Sequence, residues 1–170
     1  PLELKCDYTT EVKKLLSSPK YCSKESVVRR YDHEVQGGSV VKPFIGFNND
    51  GPSDAAVVRP VPESFEGVVV AHGICPRYSD IDTYQMTANA VDEALRNYVA
   101  VGGSLELVAG LDNFCWCDPV LSDKTPDGPY KMAQLVRSNQ ALYDVCLAYN
   151  LPLISGKDSM KNDFYDGTTK

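Results

Sequence analysis

Apolar residues along this chain fall into two rhythms. In the first they recur at three- and four-residue spacing, the period of a helix with one buried face. Met86, Ala90, Val91, Ala94, Leu95, Tyr98 and Val99 predict one long helix, ended by Gly102-Gly103. Met132, Leu135, Val136, Leu142, Tyr143 and Cys146 predict a second over about 130–149, with those side chains on its core face. A shorter stripe, Val12, Leu15 and Leu16, ends at Pro19, and Ser23 is placed to cap another short helix carrying Val27, Val28 and Tyr31.

In the second rhythm, Val and Ile crowd into short runs bounded by Gly or Pro, the mark of strands. These runs are "SVVKPFIG", "AAVVRPV", "GVVVAHGI", "SLELVAGL" (104–111) and "LPLIS". The resulting order, α-α-β-β-β-α-β-α-β, predicts an α/β (α+β) fold in which two long helices cover one sheet face. An N-terminal helical segment is expected over 1–35 and an α/β subdomain over 36–170. The uncovered sheet face would be a large apolar surface, so the chain by itself is expected to form a homodimer.

Composition narrows the function. The 170 residues are 43% hydrophobic and 24% charged, with net charge -6. There is no dense Lys/Arg run, which argues against nucleic acid as a partner. No apolar run approaches a membrane span, and the first residues, "PLELKCDYTT", lack the basic and apolar regions of a secretory signal. Neither end reads as a natural terminus, and the sequence is expected to be a piece of a longer protein. Six scattered cysteines without a secretory signal suggest reduced, cytoplasmic thiols. Cys115 and Cys117 form C-x-C, but no second pair follows at zinc-finger spacing.

The stretch "LISGKDSM" (153–160) invites comparison with a phosphate-binding P-loop, G-x-x-x-x-G-K-[ST]. It fails: Leu151 stands where the first Gly belongs, and Asp158 follows Lys157. It reads instead as a loop closing a strand, where Gly156 permits close approach, Lys157 offers charge and Ser159 a hydroxyl. Other polar spots are Asp54 before a strand, Asp112-Asn113 closing another, and Glu93 with Asn97, four apart on one helix face. Two carboxylates and an amide oxygen are hard ligands suited to Mg²⁺. Taken singly, Glu93 and Asn97 also fit a solvated helix face, and Asp54 a turn. Arg77 could grip a phosphate or pair with Asp80 or Asp82. His33 and His72, the only histidines, have no nucleophile at recognisable spacing.

Five segments, "YDHEVQGGSVVKP", "GPSDAAVVRP", "DEALRNYVAVGG", "LDNF" and "PLISGKDSMKND", occur in this order. Together they resemble the phosphoribosylformylglycinamidine synthase family, ATP-dependent amidotransferases of purine biosynthesis. The likeness runs from about Tyr31 to the end and is to the N-terminal subdomain of the second of two homologous synthetase halves. The wider superfamily includes aminoimidazole ribonucleotide synthetase and selenophosphate synthetase.

The resemblance implies a mixed or antiparallel sheet that pairs with a sister subdomain, in a ligase using ATP and glutamine to convert formylglycinamide ribonucleotide to formylglycinamidine ribonucleotide. It implies Mg²⁺ ligands at Asp54, Glu93 and Asn97, with a fourth beyond Lys170. It implies nucleotide (ATP or ADP) contacts at Asp112 and Gly156, to which Ser53 and, for its charge, Lys157 are added, and a substrate contact at Ser159, to which Arg77 is added from its chemistry. The glutaminase nucleophile and the synthetase histidine belong to other parts of such an enzyme, so this stretch is expected to hold no catalytic residue and to be inactive alone. Its partners would be nucleotide, ribonucleotide substrate and the remaining domains of the same enzyme. Two departures stand out: Lys157 replaces an Asn of short-form relatives, and His72-Gly73 replaces an acid common after the third strand. The alternatives are a structural half-module with a vestigial nucleotide site, or a superfamily member acting on another phosphate substrate.

Overall fold

The computed structural model describes residues 7–30 and 33–164. The chain divides into two compact units, Pro1–Gly38 and Ser39–Lys170. In the first, helix α1 (Tyr8–Ser17) begins at Asp7, whose carboxylate accepts from the N–H of Thr9 and so satisfies an orphan donor of the first turn. Val12, Leu15 and Leu16 remain exposed on it. The predicted second helix is only one turn, α2 (Glu25–Val28), with Ser23 Oγ accepting from Glu25 N at 3.2 Å; Tyr31 lies outside the described residues.

The second unit opens with five strands: β1 (Ser39–Val41), β2 (Phe44–Ile45), β3 (Gly51–Pro52), β4 (Ala55–Val58) and β5 (Val68–Ala71). The run "SVVKPFIG" is therefore two strands. Pro43 between them has no N–H for a ladder and breaks the run. β1, β4 and β5 form an antiparallel sheet in the order β1-β4-β5, while β2 and β3 form a separate hairpin.

Next come helix α3 (Thr83–Ala100), strand β6 (Gly110–Cys115), helix α4 (Gly128–Ala148) and strand β7 (Leu153–Ser159). β6 and β7 pair in parallel, joined through α4 as a crossover requires. The fold is thus mixed α/β with antiparallel and parallel pairing, and among the described residues the strands form three separate sheets rather than one continuous sheet.

Two sequence expectations shift. The strand expected over 104–111 starts only at Gly110. Leu105–Leu107 is a 3-10 turn capped by Ser104, and the Tyr98 hydroxyl donates to the carbonyls of Ser104 and Leu107. Carbonyls held by Tyr98 are not available to a ladder. The stretch 156–159, expected as a loop, continues β7 because β6 offers it a full register, from Asp112–Gly156 to Cys115–Ser159.

The core face of α4 also differs from its apolar stripe. Of the expected core positions Cys146 is buried, but Met132, Val136 and Tyr143 are exposed, and the other buried positions are Gly128, Ser138 and Ala141. α4 packs along α3 through small and polar residues. Thr87 Oγ1 and Ser138 Oγ are buried partners, and Thr83 Oγ1 donates to the Gln134 side chain at 2.8 Å. Arg137 grips Asp82 with two hydrogen bonds, at 3.1 and 2.7 Å, and Asp82 also caps α3. Small residues let the helices approach closely, and each buried hydroxyl or amide is matched by a partner.

In the β1-β4-β5 sheet, Val58 and Val68 are paired, and both are exposed, as are Val40 and Val70. An apolar face of this sheet therefore stands open in the single chain.

Candidate functional site

Two of the predicted ligands, Glu93 and Asn97, lie beside the exit of β5. That strand ends at Ala71, paired with Ala55 of β4. Asp54 immediately precedes β4 and His72 immediately follows β5, so each adjoins this last pair in sequence. Asp54 is exposed, and Ser53 beside it is held by the loop: its N–H donates to the Pro43 carbonyl and its hydroxyl to that of Ala55.

From His72 the chain crosses the face of α3, and Gly73 makes the crossing possible. A Cβ there would lie 1.9 Å from the Ala90 carbonyl oxygen and 2.7 Å from Ala94 N. The stretch is then tied to the helix. Asn97 Nδ2 donates to the His72 carbonyl at 3.0 Å. One turn earlier, Glu93 Oε2 accepts from the Ile74 N–H at 3.1 Å and from the Cys75 thiol at 3.2 Å. Burial, and after it the hydrogen bond to Glu93, pushes the Cys75 thiol up to about 11.

Among the described residues nothing hydrogen-bonds to Glu93 Oε1, Asn97 Oδ1 or the Asp54 carboxylate. These hard oxygens, two from carboxylates and one from an amide, fit a divalent cation such as Mg²⁺ in donor chemistry. Among the described residues no group of three His, Cys, Asp or Glu forms a metal cluster. A cation here would need further oxygens from water or a phosphate, which is how Mg²⁺ is usually held.

The second group lies on β6 and β7, and the ladder splits it. Asp112 pairs with Gly156 on one face, and the Asp112 carboxylate fills the space over the glycine. That face looks towards α4, where burial and, less, the Asp112 charge raise the pKa of the Cys146 thiol. Lys157 and Ser159 point to the opposite face with Asn113 and Cys115, and Lys157 Nζ donates to Ser159 Oγ. Strand alternation thus separates residues that a loop could have turned towards one ligand.

Arg77 stands exposed, 3.9 Å from Asp80, the surface pairing its sequence left open. Asp82 is committed to Arg137. His33 lies 3.7 Å from Glu34, and His72 contributes its carbonyl. The described cysteines, Cys22, Cys75, Cys115, Cys117 and Cys146, are all free thiols. Sequence reasoning missed Gly73 and Cys75. The glycine at the strand end was a signal of close backbone approach; Cys75, 18 residues from Glu93, carried none.

Comparison with known proteins agrees with this architecture. The chain is 33% identical over 157 residues to phosphoribosylformylglycinamidine synthase subunit PurL of Picrophilus torridus, covering 92% of this chain and 20% of the relative. It is 36% identical over 140 residues to the subunit of the same name from Thermoplasma volcanium, covering 82% of this chain and 17% of that protein. The chain therefore spans about a fifth of the length of these relatives. Among solved structures, PurLQS from Thermotoga maritima superposes with a TM-score of 0.61 at 28% identity, covering 84% of this chain and 21% of that one. T. maritima PurL complexed with ADP gives 0.56 at 28% identity, covering 86% and 21%. Residues 52–169 match the family described as AIR synthase related protein, N-terminal domain, and the chain belongs to that family.

Proposed function

We propose that this chain is part of a phosphoribosylformylglycinamidine synthase, a cytoplasmic ATP-dependent C–N ligase of purine biosynthesis with glutamine as nitrogen donor, and that it contributes nucleotide and Mg²⁺ contacts rather than the reacting groups. The observation that supports this most is the likeness, over 86% of the chain, to T. maritima PurL complexed with ADP. Similar likenesses hold to that protein complexed with AMPPCP and with FGAR.

In this reading Asp54, Glu93 and Asn97 hold Mg²⁺, which would neutralise phosphate charge. Ser53, Asp112 and Gly156 line the nucleotide. Lys157 adds a point charge towards a phosphate, and Ser159 and Arg77 face the ribonucleotide. The open valine face of the β1-β4-β5 sheet is covered in the whole enzyme by its remaining domains. The isolated chain would use that face to form a homodimer, and light scattering showing a monomer at high concentration would remove the dimer.

The function is tested by assaying formylglycinamidine ribonucleotide formation from ATP, glutamine and substrate. The intact enzyme should be active and the isolated chain inactive. Product from the isolated chain would overturn the assignment of a binding role alone, and no product from the intact enzyme would overturn the activity.

A further inference from the structure

Glu93 and Asn97 each divide their polar atoms between two tasks. Glu93 Oε2 carries two donors, Ile74 N–H and the Cys75 thiol, at 3.1 and 3.2 Å. Two converging donors fix the carboxylate plane and leave Oε1 with its lone pairs. Asn97 Nδ2 is held by the His72 carbonyl at 3.0 Å, which fixes which end of the amide is nitrogen and leaves Oδ1 facing away. One four-residue stretch, His72–Cys75, therefore orients both side chains, and the residual atoms are both hard oxygens one helical turn apart. The stretch can lie close enough only because residue 73 has no side chain.

We propose that His72–Cys75 is the positioning element of the divalent-cation site on α3, with Cys75 as its side-chain member. This rests on the assignment of Asp54, Glu93 and Asn97 as cation ligands and adds the groups that aim them. A thiol suits the task. It is a weak neutral donor, so it steers the carboxylate without cancelling the charge the cation needs, as a Lys or Arg would. Partners that orient metal ligands in this way commonly govern affinity.

The test titrates Mn²⁺, a paramagnetic substitute for Mg²⁺, into the intact enzyme with ADP present and reads free Mn²⁺ by electron paramagnetic resonance. Asp54→Asn identifies the Mn²⁺ belonging to this site as the ion whose binding it weakens. For that ion, Cys75→Val, which removes the donor at similar volume, should weaken binding about tenfold. Cys75→Ser, which keeps a donor, should restore it. Should Cys75→Val fail to fold, Cys75→Ala makes the same deletion. If Asp54→Asn weakens Mn²⁺ binding and neither deletion does, the positioning role is overturned while the cation site stands. The positioning role is equally overturned if the deletions lower only the thermal stability of the metal-free protein. If Asp54→Asn leaves all Mn²⁺ binding unchanged, the cation assignment itself fails.

Discussion

The carboxylate of Asp112 occupies the space that a side chain at Gly156 would need: a Cβ there would lie 2.5 Å from Asp112 Oδ1. The two are direct partners across the parallel β6–β7 ladder, so their backbones cannot separate and the Asp112 side chain must rotate aside to admit a Cβ. Gly156→Ala should therefore cost about 1–3 kcal/mol, the usual range for overpacking. In an Asp112→Ala background the penalty should shrink, because the clashing oxygens are gone. Urea denaturation of the four proteins of this cycle measures the coupling, and a coupling near zero would show that Asp112 moves aside freely.

Gly73 presents a harsher case. Its added Cβ would sit 1.9 Å from a carbonyl oxygen of α3, and helix backbone cannot swing away as a side chain can. Gly73→Ala should destabilise the fold by about 3 kcal/mol or more, the upper end of overpacking costs. Thermal melts followed by circular dichroism check this. A wild-type melting temperature would mean that His72–Cys75 does not rest on α3 in solution.

Among the described residues, Cys75 should be the slowest-reacting thiol of those with access to solvent. With its pKa pushed up to about 11, only about one molecule in a thousand carries the thiolate at pH 8. Exposed Cys115 should be alkylated first by iodoacetamide, as followed by peptide mass spectrometry. Glu93→Gln removes the charge beside the thiol and should speed its reaction. Equal rates at Cys75 and Cys115 in the native protein would contradict the pairing with Glu93.

The Asp82–Arg137 pair predicts an acid dependence of the helix pair. The Arg137 guanidinium holds the Asp82 carboxyl below its ordinary value of 3.8, helped by the N–H groups of Gln85 and Tyr84. A carboxyl depressed in the folded state adds stability that is complete above its unfolded value and is lost as pH falls through the folded one. The contribution should therefore be present at pH 5 and disappear on acidification below about 3.8. Asp82→Asn should flatten that part of the stability–pH curve, as read by urea midpoints at stepped pH. An unchanged slope would show that the pair is already open.

Much of this was legible in the chain. The long helices were readable because eighteen- and twenty-one-residue segments carry a sustained apolar period. The short strands were readable from Val and Ile between Gly and Pro. The extent of β7 was not. "SGKDS" has the composition of a turn, and it is extended only because β6, over forty positions earlier, supplies a complete set of parallel partners. Nor was the buried face of α4. Its apolar stripe pointed to Met132, Val136 and Tyr143, but α3 meets it with Thr83 and Thr87, so Gln134, Ser138 and Ala141 turn inward.

The candidate site divides in the same way. Sequence by itself supplied the ligand types, the helical spacing of Glu93 and Asn97, and the ordered segments that marked the family. Those are local or linear properties, and a chain carries them before it folds. Tertiary structure decided which atoms of those ligands are free, since that depends on a hydrogen-bonded stretch from another element crossing α3 at a glycine. It also set Lys157 and Ser159 against Asp112 and Gly156, because a strand sends alternate side chains to opposite faces and only pairing with β6 makes that segment a strand.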